Sequence, residues 1–134
     1  MPNLDIKCII PGQDTNGQVA VFEEVVDPGI GPPRHTHRNQ FEIFHIIEGM
    51  IRFEIDGVVS EHGAGAAAVV PAGAVHAFRN IGTEAATIHF EMIPAGKSEE
   101  AFERIAAEGD SIEDVAAFFD QYDMDLCGPP LDGD

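Results

Sequence analysis

Positive charge is scarce in this sequence: seven Lys and Arg stand against 24 Asp and Glu in 134 residues, a formal net charge of −17. Nucleic-acid phosphates call for the opposite sign, and anionic membrane surfaces recruit basic segments. Neither is an expected partner; the acidity reads as solubility and self-repulsion. Tryptophan is absent, and only two cysteines occur, Cys8 and Cys127, near opposite ends and without metal-ligand spacing. They are expected as two free thiols. No apolar run approaches the ~20 residues of a membrane span. The opening MPNLDIKCII has neither the basic start nor the long apolar core of a secretory signal. Together these absences predict a cytoplasmic protein. The chain is long enough for one domain and too short for two, and its 44% hydrophobic residues can supply a core.

Glycine and proline then divide the chain into short pieces. Residues 6–10 read as a strand closed by Pro11-Gly12, and Asp14-Thr15-Asn16-Gly17 as a turn. Residues 18–27 alternate, with Val19, Val21 and Val25 on one face. Pro28-Gly29-Ile30-Gly31-Pro32-Pro33 cannot be helix and bends the chain. Further strands are expected at 41–47, 51–55 and 58–60, with Asp56-Gly57 as a hairpin turn. Residues 61–65 read as a loop with His62 exposed, 66–70 as a buried strand, and 75–79 and 86–93 as the last two strands. Such spacing implies an antiparallel sandwich or barrel. After Pro94 the pattern becomes helical. Ser98 is placed as the cap of a helix through Glu108 that Gly109 ends. Ser111 and Asp114 suggest a capping box for a second helix, from 112 to about 122. The predicted division is a β-barrel over 1–96 and a helical extension over 97–134, packed on the barrel or on a partner subunit.

The chemistry concentrates in two stretches. His35 and His37 stand two residues apart, which on a strand puts both imidazoles on one face about 7 Å apart. Glu42 follows on the next strand, and His76 comes after a Pro71-Ala72-Gly73 turn. Three histidines and a carboxylate make a nitrogen/oxygen donor set suited to a first-row divalent metal. Phe44 and Ile46 share the face of Glu42, and Phe78 that of His76, so these three are expected to line a substrate pocket. His45 points the other way.

These residues fall into the patterns G(X)5HXH(X)3-4E(X)6G and G(X)5PXG(X)2H(X)3N. Gly29, His35, His37, Glu42 and Gly49 meet the first; Gly65, Pro71, Gly73, His76 and Asn80 meet the second. On those positions the chain resembles the cupin superfamily, over residues 19–94. Ala66 departs from the Asp common after the motif glycine, a residue that supports a turn and is no ligand. The resemblance implies an all-β, cupin-type antiparallel jelly-roll barrel with two short C-terminal helices. It implies one divalent transition metal per chain (Fe, Mn, Ni, Cu, Co or Zn) held by His35, His37, Glu42 and His76. Small quercetinase-like cupins suggest an oxidoreductase, dioxygenase-like, acting on a small organic molecule. A non-catalytic metal- or ligand-binding cupin and a sugar or keto-acid isomerase are the alternatives. An isomerase needs a base of tuned pKa beside the metal, whereas Phe44, Ile46 and Phe78 suggest an apolar cavity and favour the oxygenase. A homodimer is expected through sheet edges and outer faces, with Ile43 and Ile47 and the Phe102, Phe119 and Tyr122 stripes as apolar area to cover. The last strand leaves two registers open. Either Ile88, Phe90 and Met92 face inward, or His89 and Glu91 do, which would make His89 a catalytic base or hydrogen-bond donor beside the metal.

Overall fold

The computed structural model describes residues 1–133. Its strands are β1 (Asp5–Ile10), β2 (Ala20–Val26), β3 (Pro33–His37), β4 (Phe41–Glu48), β5 (Met50–Ile55), β6 (Val58–Gly63), β7 (Ala67–Val70), β8 (His76–Asn80), β9 (Ala86–Ile93) and β10 (Met124–Pro130). Two helices, α1 (Ser98–Glu108) and α2 (Val115–Gln121), lie between β9 and β10. The strands form two sheets in the orders β1-β2-β9-β4-β7 and β10-β3-β8-β5-β6, all antiparallel. The fold is all-β and jelly-roll-like, with short helices near the C-terminus.

Alternation sets what faces inward. On β9, Ala86, Ile88, Phe90 and Met92 are buried while Thr87, His89 and Glu91 are half-exposed, so the apolar register holds. Phe22, Phe44, Phe53, Phe78 and Phe90 fill the space between the sheets. Phe22 stacks on Phe90 at 5.2 Å between ring centroids, and Phe44 meets Phe53 at 5.1 Å. On β2 the buried set is Ala20, Phe22, Glu24 and Val26. That is the face opposite to Val19, Val21 and Val25. Apolar residues stand on both sides of this strand, and the aromatic Phe22 outweighs the valines in choosing the core side. The hairpin turn is as expected: Asp56 and Gly57 take φ of 48° and 81°, the positive values a type I′ turn requires.

Several boundaries differ from the sequence expectation. β6 runs on through Gly63, so His62 lies on a strand, half-buried, with Nε2 3.0 Å from the Ser60 hydroxyl. β7 is an edge strand buried on one face only, and Val69 is exposed. Ser98 donates to the Ala95 carbonyl at 2.6 Å and caps nothing. Gly109 keeps right-handed helical angles and leads into a 3-10 turn through Ser111. That turn absorbs the expected capping box, so α2 starts at Val115 with Asp114 accepting from the Ala117 amide. Cys8 and Cys127 are free and exposed, and no helix among the described residues is long and apolar enough to cross a membrane.

The region after residue 97 is not only helical. β10 pairs antiparallel with β3, setting Met124 opposite His37 and Leu126 opposite His35. Side chains reinforce the pairing: the Arg38 guanidinium reaches Asp125 and Asp120, both at 2.7 Å, and Thr36 donates to Asp125 at 2.8 Å. The helices bury Ile105, Phe118, Phe119 and Tyr122 in a second cluster with Met124, under which the Arg104 guanidinium lies 4.9 Å from the Phe118 ring centre. Two short helices cannot bury themselves alone. Here α2 packs on β10, the strand that borders β3, and α1 packs on β1 at the edge of the other sheet.

Candidate metal centre

Three strands from both sheets bring the site together. The bend before β3 runs tight against β8: a Cβ on Gly31 would stand 1.7 Å from the Phe78 carbonyl oxygen. Only glycine allows that approach, and it seats β3 beside β8 with His35 directly opposite His76. Ahead of β8, Gly73 turns the chain at φ 80° and its amide donates to the His37 carbonyl at 2.8 Å. Asn80, the last motif position, donates to the Val26 and Glu84 carbonyls at 2.8 Å and accepts from the Gly82 amide. It closes a turn and touches no ligand.

His35, His37 and His76 are buried, and one nitrogen of each lies within 4.8 Å of the others. Ring centroids stand 4.2 Å apart for His35 and His76, 5.0 Å for His35 and His37, and 5.2 Å for His37 and His76. His35 Nδ1 lies 2.7 Å from the Pro33 carbonyl, and His76 Nδ1 3.0 Å from the Ala74 carbonyl. A carbonyl can only accept, so each Nδ1 carries the proton and each neutral ring is left with its Nε2 lone pair. Glu42 on β4 comes within 3.2 Å of His76 Nε2 and 3.3 Å of His37 Nε2 through one oxygen, Oε1. It thus touches two of the three histidines and stands outside their mutual 4.8 Å group.

The electrostatics follow from burial. Burial, then the neighbouring His76 and His37, hold the His35 pKa well below its ordinary value. Burial alone would raise Glu42, but the nearby His37 ring and the hydrogen-bonded His76 outweigh it and hold the carboxyl at about 2. Burial likewise works against a charged His76, and the Glu42 carboxylate reverses the direction, raising it. His37 Nε2 is buried with no hydrogen-bond partner, because its approach to Glu42 lacks hydrogen-bond geometry. An orphaned buried nitrogen is rare in folded proteins. A divalent ion would satisfy it, and the donor set of imidazoles and a carboxylate fits such an ion.

The cluster opens on a cavity of about 40 Å³, room for roughly three waters at ~10–15 Å³ each. Phe44, Phe78 and Phe90 form its barrel wall, and Phe102 of α1 and Phe119 of α2 cover it. Phe119 also meets the His35 ring edge-on at 5.8 Å. Phe44 and Phe78 thus line this cavity. Ile46 is buried in the core and does not line the cavity.

His89 lies elsewhere. It faces outward on β9, 34% exposed, with Nε2 2.9 Å from Glu23, because Ile88 and Phe90 take the inward positions. The inward placement is corrected: His89 reaches neither the histidines nor the cavity. His45 is also outside and pairs with Glu91. The residue the sequence reading missed is Glu24, 4% exposed and lining the cavity with His35, His37 and Glu42. Its only signal was its place between Phe22 and Val26 on one strand face.

Comparison with known proteins agrees with this geometry. A search of curated proteins finds no match. Among solved structures, the Schizosaccharomyces pombe Cnp3 cupin domain superposes with a TM-score of 0.64 at 16% identity, covering 75% of this chain and 71% of that one. A predicted oxalate decarboxylase from Thermotoga maritima gives 0.65 at 20% identity, covering 68% and 80%. KdgF from a Halomonas species gives 0.63 at 17% identity, covering 70% and 82%. The cupin-domain family model matches residues 22–92, more than half of the chain, and includes all three clustered histidines. The chain belongs to the cupin family.

Proposed function

We propose that this cupin binds one divalent transition metal per chain through His35, His37, His76 and Glu42. On this reading it acts as a dioxygenase-like oxidoreductase on a small organic molecule. The observation that carries the proposal is the unpartnered, buried His37 Nε2 facing two further histidines of fixed tautomer. Bound there, an Fe, Mn, Ni, Cu, Co or Zn ion would supply Lewis acidity or a redox centre. The chain's own part is to orient and exclude. Pro33 and Ala74 fix two rings through their Nδ1 protons. Glu42 stays ionised at neutral pH, and the phenylalanine wall favours a compact, largely apolar ligand. The cavity volume restricts that ligand to a few heavy atoms unless the α1 and α2 cover moves.

A second reading, a keto-acid isomerase working without oxygen, draws support from Glu24. That reading requires an acid or base of tuned pKa near the metal, and Glu24 is pushed up to about 8 by burial, then by Glu42 and Asp5. Fold likeness does not choose between the two; the resemblance to a predicted oxalate decarboxylase is at 20% identity. An oxygen electrode chooses. Metal-loaded protein tested against small enols, thiols and keto acids should consume oxygen with at least one class. Deuterium incorporation into a keto acid without oxygen uptake would support the isomerase instead. Neither result would leave the third reading, a non-catalytic binding cupin.

A homodimer belongs to the same proposal. Ile47 and Val69 are 48% and 58% exposed on neighbouring strands of one sheet, an apolar face and edge that a second copy would cover.

A further inference from the structure

The cavity holds a second carboxyl that the histidine cluster does not use. Glu24 projects from the inner face of β2, between Phe22 and Val26, with Ile6 and Ile88 as its neighbours across the adjoining strands. It is 4% exposed, and among the described residues no hydrogen bond or ion pair ties its carboxyl to another residue. An ionised carboxylate without a partner is strongly disfavoured in such surroundings, so the group is held neutral. It then presents one O–H donor and one acceptor oxygen to the space it shares with His35, His37 and Glu42. Stability does not explain it: an aliphatic side chain of similar volume would serve the core better. Burial, then the nearby Glu42 and Asp5, favour the protonated form of Glu24.

We propose that Glu24 is the hydrogen-bond donor that holds the acceptor oxygen of a short carbonyl or carboxylate compound lodged between it and the histidine cluster. The ligand's second oxygen would face the metal position, and in this the proposal rests on the metal reading above. The dimensions agree: about 40 Å³ admits a few heavy atoms, and Phe44, Phe78 and Phe90 suit a small apolar body between two oxygen ends. A doubly charged phosphate ester is disfavoured because Glu42 already supplies negative charge.

Calorimetric titration of the full-length, Zn(II)-loaded protein with pyruvate tests this. Wild type should bind it, and Glu24→Gln, which keeps an N–H donor at the same place, should bind within about threefold. Glu24→Leu should lose about tenfold or more in affinity, the scale of one buried hydrogen bond. Zinc content should be equal in all three. The proposal is overturned if pyruvate fails to bind wild type, or if Glu24→Leu binds as tightly. A second readout needs neither ligand nor metal: the infrared difference between metal-free wild type and Glu24→Gln at pH 7 should contain the carbonyl stretch of a protonated carboxyl. A carboxylate band in its place overturns the donor role. If the protein takes up no zinc, the metal reading fails, while the infrared band still decides the state of Glu24.

Discussion

Exchanging Glu24 for leucine should make the protein more stable, by an amount that grows with pH. The folded protein holds this carboxyl at about 8, against an ordinary value of 4.5. The native state therefore keeps a proton that the unfolded chain gives up above pH 4.5. For a group with a raised folded pKa, the stability present below the unfolded value is lost as pH rises to the folded one. The window is thus about 4.5 to 8. At pH 7 the interval is 7 − 4.5 units, which at 1.36 kcal/mol each puts the penalty at about 3 kcal/mol. Leucine is of similar size and carries no such penalty. Urea unfolding of metal-free wild type and Glu24→Leu at pH 5, 6, 7 and 8 measures the difference. It should widen by roughly 1.4 kcal/mol per pH unit through most of that range. Glu42 does not interfere: its depressed pKa contributes stability that is present above 4.5 and lost only as pH falls through about 2. The raised His76 contributes stability that disappears as pH rises through its folded value, but it does so in both proteins. A difference that stays constant from pH 5 to 8 would refute the reasoning, since it would mean Glu24 is ionised at no cost.

Three further outcomes are expected. Gly31→Ala drives a methyl into the Phe78 carbonyl, so it should cost about 4 kcal/mol or more; an unchanged melting temperature would show that the bend can move away from β8. His89→Ala should leave metal content unchanged and stability within about 0.5 kcal/mol, because His89 lies on the outer face; loss of metal would contradict that placement. Light scattering at micromolar concentration should return the mass of a dimer, and replacing Ile47 and Val69 with lysine should return that of a monomer; a wild-type monomer would remove the homodimer from the account.

The convergence of His35, His37, Glu42 and His76 was legible because the first two share a strand face and all four fall in the two cupin patterns. Their turns were legible because glycine marks them: Gly73 does take the positive φ its place before His76 demands. Glu24 was not legible, since residues 20–26 carry apolar side chains on both faces and an acid there reads as solvated. Only the packing of Phe22 against Phe90 and Phe102 decides which face turns inward. β10 was not legible because Gly128-Pro129-Pro130 interrupts any strand pattern. It is held as an edge strand, where proline is tolerated, by long-range contacts from Thr36, Arg34 and Arg38 that no local pattern announces. The start of α2 was misplaced for a similar reason. Ser111 donates to the Glu108 carbonyl in the 3-10 turn, leaving Asp114 alone as the cap.

The central claim is that three histidines and one glutamate form a metal centre. Elemental analysis of purified wild type and of a His37→Ala/His76→Ala double variant, with circular dichroism on both, tests it most directly. Wild type should carry about one transition-metal ion per chain, the count for a mononuclear site. The double variant should carry almost none while keeping its β spectrum. A folded double variant with full metal occupancy would contradict the account.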